Sequence, residues 1–295
     1  DKTINTIFFG GGTPSLMNPK IIEELIRYIY SLWKTTDYIE VTLEANPTTV
    51  ETARFSDIKL AGVNRISLGI QSFDDDELKF LGRNHDAAQA KAAIDIAASF
   101  DRFSFDLIYC LPKQNINGWI DSLTKSLSIA RDHISLYQLT IEENTNFYQL
   151  HKAGKLIMPD DKISAEFYQA TNEITSKHGF IDYEISNYCT NGGESLHNLN
   201  YWKYGDYIGI GAGAHSKITN LNTKEVKRAW KHKHPKIYTQ ANKLIQGESI
   251  LTKDDLIYEF MLNSLRLKGG LDLNCFQQQT FLPIDQLLTQ IDLGV

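Results

Sequence analysis

A chain of 295 residues has room for one large domain or two of ordinary size. With 42% hydrophobic and 22% charged residues, among them 14 Tyr, 14 Phe and 4 Trp, it has the material for a folded core, which excludes a mainly disordered chain. The net charge of −6 argues against a partner held by its phosphate backbone, so no nucleic acid is expected. No apolar run reaches the ~18 residues that a membrane helix needs. The expectation is therefore a protein with no membrane segment of its own. Cys110, Cys189 and Cys275 are odd in number and widely spaced. They make neither a disulfide framework nor a Cys-x-x-Cys metal motif, which points to a reducing, cytoplasmic setting.

In chain order, residues 4–9 read as a short β-branched strand stopped by Gly10, Gly11 and Gly12, then Thr13-Pro14. Ile22, Ile26 and Ile29 recur at helical spacing. A second strand runs from Tyr38 to Leu43 and ends in Glu44-Ala45-Asn46-Pro47. A helix is predicted near 50–61, then a strand over 65–70 ending in Gln71-Ser72-Phe73. Further helix–strand pairs follow at 87–99 with 104–109, and at 117–130 with 133–140. Five strand–turn–helix repeats predict a parallel sheet of βα units. The unusual residues are spread over four strand ends rather than gathered at one switch point, which favours a barrel over an open sheet.

Beyond this repeat, 161–177 reads as a helix and 183–188 as a strand. A stretch rich in Gly, His, Asn and aromatics follows at 191–216, with helices at 236–247 and 253–267. The final stretch, 271–295, alternates short apolar segments and ends without a capping element. The expected fold class is α/β: a partial (β/α) barrel over 1–180, a segment at 181–235 closing its site, and an α-rich, incomplete C-terminal domain at 236–295.

Gly10, Gly11 and Gly12 follow a strand and precede a helix, so main-chain groups there can approach a ligand closely. The turn lacks the Lys of a nucleotide-phosphate loop and the spacing of a dinucleotide fingerprint. A small polar ligand held by main chain fits better. Glu44, Gln71, Arg83 and Asp106 lie at or just beyond strand ends, where each alone would serve as a solvated or structural polar group. Together they form a set that complements an amino-acid ammonium and carboxylate and a ribose diol.

The segments FFGGGTPSL, TLEANP, RISLGIQSF, LGRNH and FDLIYCLP, in this order, resemble the radical S-adenosylmethionine (SAM) family related to oxygen-independent coproporphyrinogen oxidase. The resemblance covers nearly the whole chain. It implies that Gly10–Thr13 meets the methionyl end of SAM, and that Glu44, Gln71, Arg83 and Asp106 bind the rest. The segment from His197 through Asn198 to Tyr201 and Trp202 is similar to the HNxxYW signature of the heme-chaperone subgroup. That similarity implies a heme region at His197, Tyr201 and Trp202, with His197 on the iron, since imidazole is a common heme ligand and aromatics pack on the macrocycle. Read without the family, His197 is as well explained by a loop hydrogen bond, with Tyr201 and Trp202 in a core.

The Cys-x-x-x-Cys-x-x-Cys that binds a [4Fe-4S] cluster in this family is absent from the chain. The sequence is accordingly expected to begin at the second barrel strand, with the first strand and the cluster ligands upstream. Cys110 stands where the family has glycine, and Cys110 and Cys189 are expected as small buried hydrophobes. The leading expectation is a heme carrier that passes its cargo to an unknown acceptor, including a membrane-associated client; the runner-up is an oxidase that decarboxylates porphyrinogen propionates, and the third is a scaffold without activity.

Overall fold

The computed structural model describes residues 2–289 and divides into two compact units, the first ending at His197 and the second beginning at Asn198. The first unit is a curled half-barrel. Five strands, β1 (Thr3–Phe9), β2 (Lys34–Ala45), β3 (Arg65–Gln71), β4 (Arg102–Tyr109) and β5 (His133–Gln138), pair in parallel in chain order. Two short antiparallel strands, β6 (Ile181–Glu184) and β7 (Asn187–Cys189), extend the sheet beyond β5 in the order β5-β7-β6. The single strand expected over 183–188 is thus a hairpin. Its turn is braced by Glu184, which accepts hydrogen bonds from the Ser186 N–H at 3.1 Å and from the Asn187 side chain.

Strict alternation builds this sheet. Ile39, Val41, Leu43 and Ala45 of β2 face the same way as Ile66, Leu68 and Ile70 of β3 and Phe103, Phe105 and Leu107 of β4. All are buried in one core with residues of the covering helices, including Ile22 and Ile26 (helix 19–32), Ala93 (87–97), Leu123 (116–129) and Phe167 (161–177). Each of the Val, Leu, Ile and Phe side chains among them contributes ~1.5–3 kcal/mol when removed from water. The alternate positions are polar and point to the other face, into the half-barrel. The helix expected over 50–61 is two short pieces, Thr49–Thr52 and Phe55–Leu60. The Asn46 N–H and the Ser15 hydroxyl both bond the side chain of Glu51 in the first piece, tying it to the loops before it.

The second unit holds an antiparallel sheet of β8 (His215–Asn220), β9 (Glu225–Lys231) and β10 (Ile245–Ile250), in the order β10-β9-β8. Helices Lys253–Ser264, Leu273–Thr280 and Ile284–Leu288 follow, and Leu256, Phe260, Phe276 and Leu287 form a core with Val226 and Tyr204. The helix predicted over 236–247 is not formed as such. Helix Pro235–Gln240 is short, and 245–250 is a strand. Gly247 lies directly opposite Trp230 on β9, and its missing side chain leaves room for the indole, so sheet pairing overrides the helical spacing. The chain end at 290–295, part of the stretch expected to finish uncapped, lies outside the described residues.

Candidate functional site

The polar face of the sheet is layered. Glu40, Thr42 and Glu44 on β2, Arg65, Ser67 and Gly69 on β3, Arg102, Ser104 and Asp106 on β4, and His133 and Ser135 on β5 occupy alternate positions with matching register. The layer at the C-terminal ends of the strands opens into a cavity of about 190 Å³. It is lined by Gly12, Glu44, Gln71, Arg83 and Asp106, with Pro14, Ala45, Asn46, Ser67 and Gly69 between them. Five residues predicted to bind one ligand therefore share one cavity. Gly10, Gly11 and Thr13 flank it without lining it.

Each wall has a local cause. Gly10 packs so closely that a Cβ there would stand 2.6 Å from Phe8 Cε1 and 3.2 Å from Glu44 Oε2. Gly11 and Gly12 have φ of 79° and 60°, with nothing within 4 Å of where a side chain would be. Their backbone thus turns through a left-handed bend that leaves open space for a ligand. Glu44 Oε2 accepts from the Gly11 N–H at 3.2 Å and so holds the turn. Gln71 ends β3 at φ 73°, after a break in the β3–β4 register between Leu68 and Gln71, and lines the cavity from there. Arg83 follows helix Asp75–Phe80 through a left-handed Gly82: the Gly82 N–H bonds Lys79 O at 3.1 Å and the Arg83 N–H bonds Leu78 O at 2.9 Å. Asp106 lies within β4 rather than at its end.

Burial pushes the Asp106 carboxyl up to about 6; a hydrogen bond with Ser135 opposes this and the neighbouring Glu44 charge adds to it. Burial lowers the Arg83 guanidinium while Asp106 pulls the other way. A recessed carboxylate, a guanidinium, an amide and an open glycine turn suit a ligand carrying an amino-acid head and a diol. Asn46, Ser67 and Gly69 were not singled out in sequence, although Ser67 and Gly69 precede Gln71 at alternate positions of one strand. Glu51 was also missed. Its buried carboxylate accepts from the Asn46 N–H at 2.7 Å, from Thr48 Oγ1 at 3.3 Å and from Ser15 Oγ, joining the glycine turn to the end of β2.

His197 is placed deeper in the half-barrel. Its imidazole stacks on Phe8, with centroids 4.2 Å and planes 14° apart. Burial and the Arg65 charge push it down to about 4, so the ring is neutral at pH 7, the form that can ligate a metal. Tyr201 and Trp202 belong to the second unit. There Tyr201 packs on Tyr207 with centroids 4.6 Å apart, and Arg266 lies 4.3 Å over the Trp202 ring. Of the other histidines, His85 bonds Ile70 O through Nε2 at 2.9 Å, bracing the end of β3, and His215 opens β8 in an exposed position.

Cys110 and Cys189 are buried, as expected, and Cys110 adopts φ 60°, the conformation glycine takes most easily. Among the described residues no group of three His, Cys, Asp or Glu can hold a metal ion. These residues therefore do not fit a [4Fe-4S] cluster. No helix among them is long and apolar enough to cross a membrane.

The model of the radical SAM superfamily matches residues 1–125, and that of the HemN C-terminal domain matches residues 251–293. Among solved structures, the fold is similar to coproporphyrinogen III oxidase (HemN) from Escherichia coli, described as a radical SAM enzyme. The TM-score is 0.74 at 20% identity, covering 95% of this chain and 67% of that one. The half-barrel is that of a radical SAM protein. The heme chaperone HemW of Haemophilus influenzae is 40% identical over 100% of this chain and 76% of its own length. HemW of Escherichia coli K12 is 36% identical over 99% and 76%. The chain belongs to the HemW family.

Proposed function

We propose that this protein is a heme chaperone on a radical SAM scaffold, binding heme and passing it to an acceptor protein. The observation that carries the reading is the similarity, over 99% or more of this chain and 76% of theirs, to proteins named heme chaperone HemW, together with a neutral imidazole at His197 inside the HNxxYW motif. His197 is the proposed iron ligand; Tyr201 and Trp202 join the heme region on the motif alone. A membrane-associated acceptor and a cytoplasmic location complete the proposal.

SAM is proposed to occupy the mouth cavity, with Gly10–Thr13 against its methionyl end and Asp106 accepting from the ribose hydroxyls. Glu44, Gln71 and Arg83 hold the remaining polar groups. Superfamily membership also implies a [4Fe-4S] cluster. When held there, SAM would gate the transfer of heme to the acceptor. Glu44 keeps the glycine turn open for it, and Arg83 offsets the Asp106 charge beside the diol.

The test is a heme titration followed by the Soret band, with wild type, His197→Ala and His215→Ala. Loss in His197→Ala alone supports the carrier. Unchanged binding in that variant, alongside measurable porphyrinogen decarboxylation, favours the oxidase.

A further inference from the structure

Beneath the mouth cavity, the polar face of the sheet carries a buried ion cluster that the proposed function leaves unused. Glu40 is fully buried, and its carboxylate serves three partners. Arg102 Nη1 lies at 3.0 Å and Arg65 Nε at 3.9 Å, while the backbone N–H of His197 donates to Oε1 at 3.1 Å. Arg102 is shared in turn. Its Nε donates to Asp132 at 2.7 Å, Nη1 also reaches the carbonyl of Glu194 at 3.1 Å, and Nη2 donates to the carbonyl of Gly193. One Glu–Arg pair thus holds three peptide groups of the 193–197 segment.

Glu40 and Arg65 are buried and Arg102 and Asp132 partly so; taking such charges out of water gives little net stability over apolar packing of the same volume, although removing one partner is costly. What this cluster provides that apolar side chains could not is directional: its donors and acceptors bond the backbone on either side of Ser195 and Leu196. The imidazole at the end of the clamped segment is then laid flat on Phe8. Groups that orient a metal-binding histidine in this way govern affinity without touching the metal.

We propose that Glu40 and Arg102 are positioning residues for His197, holding the 193–197 segment so that the imidazole is presented to heme in one orientation. The proposal rests on the reading of His197 as the heme ligand.

The experiment is a heme titration of the full chain as wild type, His197→Ala, Glu40→Gln and Arg102→Lys. It is followed by Soret position and affinity, with and without added free imidazole, and circular dichroism reports folding. Lysine keeps a positive charge beside Glu40 but cannot reach Asp132 and both carbonyls together. Glu40→Gln and Arg102→Lys should bind heme about 10- to 100-fold more weakly, with a displaced Soret maximum that free imidazole returns to the wild-type position. A merely structural role would not give imidazole rescue. Wild-type heme binding in His197→Ala overturns the ligand reading, and this proposal with it. Loss in His197→Ala, with wild-type affinity and Soret position in a folded Glu40→Gln or Arg102→Lys, overturns the positioning role alone. Should neither variant fold, amide exchange of the unaltered chain decides: slow exchange of the His197 N–H, which Glu40 accepts, supports the clamp, and exchange as fast as in the exposed 142–145 loop overturns it.

Discussion

Phe8 separates His197 from the glycine turn: one face of its ring stacks on the imidazole at 4.2 Å, and its edge lies 2.6 Å from where a Gly10 side chain would begin. The candidate cofactor turn and the candidate heme ligand thus share a single side chain as their wall. Gly10→Ala is expected to push the Phe8 ring and so disturb both sites. Gly12→Ala meets no neighbour and bears only the strain of a left-handed φ, about 1 kcal/mol. Denaturant titrations should show Gly10→Ala as the more destabilised. Its heme and SAM affinities should fall together, whereas Gly12→Ala should affect SAM alone.

Asp106 trades stability for binding. Its carboxyl is raised to about 6, mainly by burial, from an ordinary value of 3.8. The folded chain therefore holds this proton more tightly than the unfolded chain. Its contribution to stability is fully present below pH 3.8 and is lost as pH rises through about 6. Asp106→Asn should stabilise the protein at pH 7 by about 1–3 kcal/mol and give no gain at pH 3.5. The same variant should bind SAM more weakly by about 1.5–3 kcal/mol through loss of a charge-assisted hydrogen bond. In wild type, SAM affinity should drop as pH falls below about 6. Calorimetry across pH 5 to 8 checks the sign, and a flat profile would remove Asp106 from the site.

Glu51 holds two loops that line the cavity without lining it itself. Glu51→Ala should cost about 2–4 kcal/mol, because the Asn46 N–H and the Ser15 hydroxyl are left without partners in a buried setting. SAM binding should weaken as well. A melting temperature equal to wild type would show that neither loop depends on this carboxylate.

In the second unit, Glu259 accepts from Tyr204 Oη at 2.7 Å and from Arg228 Nη2 at 2.6 Å. This joins β9 to helix Lys253–Ser264. Glu259→Ala should destabilise the second unit by about 2–3 kcal/mol, since it strands a partly buried guanidinium and a phenol. Exchange protection lost in the second unit while the first keeps its own is the expected pattern.

Much of the first unit was legible in the sequence because its strands carry two alternating patterns at once. Segments such as Ile66-Ser67-Leu68-Gly69-Ile70-Gln71 and Phe103-Ser104-Phe105-Asp106 put apolar side chains against the helices and polar ones into the half-barrel. That local period, with glycine turns and helix caps between, suffices to order the elements. Glu44, Gln71, Arg83 and Asp106 were singled out as strand-end residues and by the family resemblance, and they share one cavity, although Asp106 lies within β4 and Arg83 follows a helix. Tertiary structure alone decided the rest. Glu51 shows no motif, and its role exists only where the Ser15 and Asn46 loops meet over it. The 245–250 strand has helical spacing before it and becomes a strand because Gly247 admits Trp230. His197 was marked by its motif, but its place against Phe8 and Glu40 depends on contacts between residues far apart in the chain. Local periodicity reports what each segment prefers; which buried charge or ring it finally meets is set by packing over long range.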